Sequence, residues 1–212
     1  MGTNATASVG AVVVHHKAPL ATVLRSLRES ERAAKAHGRD AYCIRVLKRA
    51  GGEVGVTGSF AKPKSAAERA QVTGAFSEDN TLDVLKRFAE WLRAVQVSRR
   101  AVYHSVQWLR ELPVEDHWQD VTTANLIYQF KRQIAAVGEG SNRSAVDLKA
   151  DAEKIAKAMV DSAHAEMVQQ LSQKSGGGKV EGGGRAAARI LEDMLVTAEF
   201  FARETHSGGA MQ

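Results

Sequence analysis

The chain has 212 residues, of which 44% are hydrophobic and 25% charged, the values of an ordinary globular protein. Its only cysteine, Cys43, excludes an intrachain disulfide and favours a reducing, cytoplasmic location. The longest apolar run, residues 11–14, is far shorter than the ~20 residues that span a bilayer, so we expect no membrane partner. A net charge of +5 is compatible with nucleic-acid or nucleotide partners.

The first 60 residues predict a strand, a helix and a β-hairpin. Residues 8–14 are small or β-branched, as in a buried strand. The helix that follows ends near Gly38, a suitable left-handed cap. Strands at 41–49 and 54–60 then pair through a turn at Gly51 and Gly52. The predicted inward face of the helix comprises apolar residues three or four positions apart: Leu20, Val23, Leu24, Leu27 and Ala34.

From Thr81 the pattern is helical almost throughout. The first amphipathic face reaches Val95, and four more helices are predicted at 98–112, 121–137, 145–171 and 185–203. The segment SGGGKVEGGG, residues 175–184, predicts a flexible loop because ordering so many glycines costs too much entropy. The predicted fold class is therefore α+β: an α/β unit in residues 1–62, a connector in 63–80 and an all-α helical bundle in 81–212.

A row of cations on the first helix is the best candidate for chemistry. The row steps by three or four residues along one face and could hold a triphosphate through charge-assisted hydrogen bonds: Arg25, Arg28, Arg32, Lys35 and, just past the helix, Arg39. The alternative is a solvated face balanced by Glu29 and Glu31. The pattern alone favours this alternative.

A second candidate is His15-His16-Lys17, at the end of the first strand, where open α/β sheets often bind ligands. Adjacent strand residues point to opposite faces, so one histidine packed and one solvated is the simpler interpretation. Neither this segment nor the rest of the chain shows the spacing of a metal site or a hydrolase motif.

The helical half contains four cations that could contact a nucleic-acid backbone, which requires only positive charge. They could equally be ordinary surface. These residues are Arg99, Arg100, Lys131 and Arg132.

At these residues a family resemblance emerges. The strand TASVGAVVVHHKAPL, followed by a helix ending in AKAHGRDA, resembles the second palm domain of the large subunit of type III CRISPR–Cas effector complexes, particularly the subtype B (Cmr-type) version. It is more distantly similar to the end of diguanylate-cyclase domains. The segment VSRRAVYHSVQWL, residues 97–109, resembles the start of the helical C-terminal domain of the same subunit. The matching palm residues are Ser8, Gly10, Ala34, Lys35, Gly38 and Arg39, with Asp40 in place of the usual Asn.

The resemblance implies a partial palm, ferredoxin-like or nucleotide-cyclase-like, followed by a helical bundle. The parent subunit converts ATP into cyclic oligoadenylates with Mg²⁺ or another divalent metal, and its metal carboxylates lie in a Gly-Gly-Asp-Asp turn. This sequence does not contain that turn. The resemblance therefore implies metal ligands outside the chain, no catalytic residue within it, and no activity for the chain alone.

The resemblance assigns the phosphate-contacting positions of the A-K-x-x-G-R segment to Lys35 and Arg39. His16 and Lys17 are further candidates for cofactor contact. The implied partners are other CRISPR effector subunits, including the small helical subunits, together with guide RNA and target RNA. Two alternatives stay open: a non-catalytic helical scaffold, and a module that binds an RNA backbone.

Overall fold

The computed structural model describes residues 6–49, 51–60, 80–112, 118–135, 143–174 and 183–207. Within these residues the protein is α+β and mostly helical, with one three-stranded mixed sheet and six helices. In chain order the elements are β1 (Ser8–Val13), α1 (Leu20–Ala36), β2 (Ala41–Leu47), β3 (Glu53–Ser59), α2 (Thr81–Leu92), α3 (Arg100–Glu111), α4 (Trp118–Arg132), α5 (Ala145–Lys174) and α6 (Gly183–Ser207).

The sequence predicts two irregular segments, the connector at 63–80 and the glycine-rich loop at 175–184, and most residues of both lie outside the described ranges. The connector at 63–80 is described only at Asn80, whose side chain accepts a hydrogen bond from the Asp83 amide and caps α2. The glycine-rich loop prediction at 175–184 is wrong for its last two positions, because Gly183 and Gly184 form the first residues of α6.

The sheet has the order β1-β2-β3, with β1 parallel to β2 and β2 antiparallel to β3. Helix α1 is the crossover between the two parallel strands. Gly51 and Gly52 have φ of 89° and 84°, the left-handed backbone that a tight hairpin turn requires. The predicted hairpin is therefore present, with each strand shorter or shifted by one or two residues.

The inward face predicted for α1 is wrong for its three leucines and correct for Ala34. Leu20 is 69% exposed and Leu24 is 41% exposed, whereas the buried residues of the helix are Ser26, Ser30 and Ala34. The physical reason is close packing: a Cβ atom at Gly10 of β1 would lie 2.5 Å from the backbone nitrogen of Glu31. Only small side chains fit in that interface, so the leucines lie on a flank of the helix that the sheet does not cover.

The opposite face of the sheet packs on the helical bundle. Tyr42 and Val56 belong to the same buried cluster as the bundle core. At the centre of that core, Phe88 and Trp91 pack against Phe130, with ring centroids 5.0 and 5.3 Å from it. The sheet and the bundle thus share one core.

One predicted inward position in the bundle is also wrong. Val95 is 72% exposed because α2 ends at Leu92 and the chain turns before reaching it. Two long helices extend beyond their predicted ends, α5 to Lys174 and α6 to Ser207. Helix α4 begins at Trp118 and ends at Arg132, earlier than predicted at both ends.

Candidate functional site

The candidate site at the end of α1 is built on an unusual turn. After the cap residue His37, three successive residues have positive φ: Gly38 at 99°, Arg39 at 61° and Asp40 at 47°. Left-handed backbone is routine for glycine and tolerable for aspartate, but it costs an arginine roughly 1–2 kcal/mol. Strain of this kind concentrates at functional sites, so the turn makes Arg39 a candidate functional residue.

The two cations of this site are both exposed to solvent. The Lys35 ammonium lies 2.6 Å from the Glu31 carboxylate, one helical turn earlier, and this hydrogen bond lowers the pKa of Glu31. Arg39 makes no hydrogen bond or ion pair with another described residue. An exposed pair such as Lys35–Glu31 contributes little to stability, so the lysine can exchange its partner for a phosphate.

His16 and Lys17 lie at the other end of α1. The helix has 17 residues, which corresponds to about 25 Å of length, and these two residues precede its first turn. The structure therefore does not bring them together with Lys35 and Arg39. His15 is half-buried and His16 is exposed, and their ring centroids lie 4.3 Å apart. One histidine is thus partly packed and the other solvated, which is the simpler of the two interpretations of this segment.

A buried polar cluster that sequence reasoning missed lies directly beside the turn. The Nε2 atom of His37 is 2.6 Å from the Oε2 atom of Glu166 in α5, and both side chains are at most 6% exposed. The Thr81 hydroxyl donates to the other carboxylate oxygen at 2.7 Å. Gln169 donates to the backbone oxygen of His37 at 2.9 Å. This cluster fastens the end of α1 to the bundle.

Tyr42 completes the surroundings of the Glu166 carboxylate. Its hydroxyl is buried without a geometrically satisfactory hydrogen bond among the described residues. Burial, followed by the charge of Glu166, raises the pKa of Tyr42 far above its usual range, so the phenol stays protonated. A Cβ atom at Gly58 would lie 2.7 Å from this hydroxyl and 2.8 Å from Glu166, so a glycine is needed to seat the cluster against β3.

The four predicted cations of the bundle form two pairs of sequence neighbours, and the structure places the segments that carry them next to each other. Val97 and Ile134 form an antiparallel bridge, and the Ser98 amide donates to the Gln133 oxygen at 2.9 Å. Arg99 and Arg100 follow the first of these segments, and Lys131 and Arg132 precede the second. The two backbone segments that carry these four cations therefore lie side by side in the bundle.

The partners of these cations differ. Lys131 forms an ion pair with Glu153, and the Arg132 guanidinium lies 6.0 Å from the Tyr128 ring centroid. Arg99 and Arg100 are exposed at the N-terminus of α3, where the helix dipole disfavours positive charge. Their position therefore does not serve the stability of the helix.

The described residues contain no group of three or more His, Cys, Asp or Glu side chains arranged to hold a metal ion. Lys35 and Arg39 present positively charged hydrogen-bond donors, the groups that bind a phosphate. None of the described helices has the length and apolar character to cross a membrane. Comparison with protein-family models, curated proteins and solved structures finds no match for the chain.

Proposed function

We propose that the chain is the C-terminal part of a type III CRISPR large subunit, and that Lys35 and Arg39 contact ATP phosphates during cyclic oligoadenylate synthesis by the parent assembly. The observation that carries the proposal is the strained turn at 38–40, in which Arg39 is exposed to solvent and which coincides with the G-R-D segment of the resemblance. Two exposed cations, one in the last turn of α1 and one just past its end, supply donors of the kind that a triphosphate requires.

The β-strand arrangement supports a partial palm in this proposal. The sheet has three strands within the described residues, and β1 is hydrogen-bonded to β2 alone. On α1, which packs against β1, the side chains of Leu20, Leu24 and Leu27 are 38–69% exposed, and Val9 of β1 is 46% exposed. A strand with one unpaired edge, packed against a helix with exposed leucines, is a surface that further palm strands would cover. Mg²⁺ or another divalent metal would be held by carboxylates of that remaining part.

The test is ATP binding and cyclic oligoadenylate production by the reconstituted effector complex. Lys35→Ala and Arg39→Ala should each raise the ATP concentration needed for half-maximal output. Arg25→Ala is the matched control, because Arg25 is an exposed cation on the same helix that we assign to ordinary surface. Unchanged output in both test variants would eliminate the nucleotide role. An equal loss of output in Lys35→Ala, Arg39→Ala and Arg25→Ala would mean that the positive charge of the helix, and not a specific phosphate contact, supports the activity.

A second candidate function is contact with an RNA backbone through the paired cations of the bundle. The observation that favours it is the convergence of Arg99 and Arg100 with Lys131 and Arg132 across the Val97–Ile134 bridge. Backbone contacts release counterions, so binding should fall steeply with salt. Filter binding of single-stranded RNA to the chain and to an Arg99→Gln, Arg100→Gln double variant tests this function. A flat salt dependence between low and moderate ionic strength would exclude it.

A non-catalytic scaffold is the remaining alternative, and the exposed leucines of α1 are the observation in its favour. The scaffold predicts that Leu20→Ser and Leu24→Ser reduce assembly with partner subunits, whereas Lys35→Ala and Arg39→Ala alter neither assembly nor output.

A further inference from the structure

The second open edge of the sheet borders a cleft. Strand β3 pairs with β2, and among the described residues nothing pairs with its other edge. A cleft of about 510 Å³ lies between this edge and the first turns of α6, a volume within the usual range of ligand sites. It is lined by Gly55, Val56 and Thr57 of β3, Gln170 of α5, and Arg185, Ala186, Arg189, Ile190 and Asp193 of α6.

The hydrogen-bond register shows which backbone groups face the cleft. The Lys48 amide donates to the Gly52 oxygen, and the Phe60 amide donates to the Asp40 oxygen. In an antiparallel pair such hydrogen-bonded positions alternate, so Val56 and its even-numbered neighbours point their amides to β2. Gly55 and Thr57 therefore direct their N–H and C=O groups away from β2, at the edge that lines the cleft.

The wall opposite this edge is positively charged. Arg185 and Arg189 are exposed and lie one turn apart on α6. Arg185 donates to the backbone oxygen of Arg110 at 3.3 Å, and Arg189 makes no ion pair with a described residue. The one carboxylate of the lining is Asp193. Burial, followed by the nearby charge of Glu192, raises the pKa of Asp193 to about 6, with Lys48 acting in the opposite direction.

We propose that the cleft binds an extended acidic peptide segment, which adds to β3 as a fourth strand and directs its carboxylates at Arg185 and Arg189. An exposed strand edge supplies main-chain hydrogen bonds to such a segment, and the two guanidinium groups supply the charge preference. This site is independent of the nucleotide proposal, because it uses the opposite edge of the sheet from β1 and none of the residues at 35–40.

The probe is a fluorescein-labelled peptide of about six residues that alternates glutamate and valine, a length that spans the strand at about 3.4 Å per residue. Its binding to the full chain is measured by fluorescence anisotropy, with a lysine–valine peptide as the charge control. Arg189→Glu should weaken binding at least about tenfold, as expected for loss of a charge-assisted hydrogen bond. Arg93→Glu, an exposed arginine outside the cleft, should leave binding unchanged.

A backbone variant tests the strand geometry. Thr57→Pro removes an amide that faces the cleft and leaves the bonds between β2 and β3 intact, so it should abolish binding. Glu53→Pro removes an outward amide at the start of the same strand, outside the cleft, and should retain binding. Circular dichroism of both variants establishes that the fold is kept.

Amide exchange supplies a readout that needs no variant. Saturating peptide should slow exchange at Gly55 and Thr57, whereas Val56 and Gly58, already bonded to β2, should be protected with or without peptide. Binding that Arg189→Glu weakens but that protects neither amide would overturn strand addition. Binding of single-stranded RNA in place of the acidic peptide would overturn the choice of partner, and so would equal binding of the lysine–valine peptide.

Discussion

Among the side-chain hydrogen bonds described above, we expect removal of the one between His37 and Glu166 to lower the free energy of unfolding most. It joins α1 to α5 at 2.6 Å, and the two side chains are only 3% and 6% exposed. His37→Ala would leave the Glu166 carboxylate buried beside the Tyr42 hydroxyl, with Thr81 as its remaining donor. Breaking a buried pair in this way costs about 3–5 kcal/mol, which is a large share of the 5–15 kcal/mol that stabilises a typical domain.

Urea unfolding followed by circular dichroism measures this cost. In a chain of this size, a loss of 3–5 kcal/mol should also lower Tm by roughly 6–20 °C. The double variant His37→Leu, Glu166→Leu replaces both partners with apolar groups and should lose much less than the sum of the two single variants. Additive losses, with no coupling between the two positions, would refute the reasoning that the pair acts as a unit.

Three further variants test other parts of the fold. Gly10→Ala should destabilise the protein by about 1–3 kcal/mol in urea unfolding, because the new Cβ would lie 2.5 Å from the Glu31 nitrogen; an unchanged midpoint would contradict the close packing of α1 on β1. Leu24→Glu should change stability by less than about 0.5 kcal/mol, whereas Ala34→Glu should unfold the chain; the reverse order would mean that α1 is rotated. Burial raises the pKa of Asp161 to about 6, above its usual 3.8, so the contribution of this carboxyl to stability falls as pH rises from about 4 through 6. Asp161→Asn should remove that loss, and its advantage in urea midpoint should grow between pH 4.5 and 7.5; a constant difference would contradict the raised pKa.

Much of the fold was predictable because, in most elements, the large apolar side chains face the core and set a clear hydrophobic pattern in the sequence. The hairpin at Gly51 and Gly52 follows from turn chemistry, and the helices around Phe88, Phe130 and Leu191 follow from apolar spacing. The face of α1 was not predictable in the same way. Its orientation depends on the missing side chain of Gly10, a residue distant in sequence, so periodicity within the helix favoured the leucines over Ser26 and Ser30.

The candidate site was predictable only in part. Lys35 and Arg39 were predicted from a motif, and the structure shows both exposed, while their contact with phosphate stays a prediction. The buried partner of His37 could not be inferred, since Glu166 lies 129 residues away and nothing in its local sequence distinguishes it from a surface glutamate. The convergence of Arg99 with Arg132 likewise depends on one long-range bridge, between Val97 and Ile134.

The turn that ends α1 has a consequence for how binding and folding would be linked. Only Gly38 separates Arg39, which is exposed to solvent, from His37, which is held by the bundle. If a ligand at Arg39 favours one geometry of this turn, and that geometry changes the His37–Glu166 contact, the ligand also favours the corresponding arrangement of α5. Thermodynamic reciprocity then requires the converse: whatever tightens the bundle around Glu166 must raise the affinity for that ligand by the same factor.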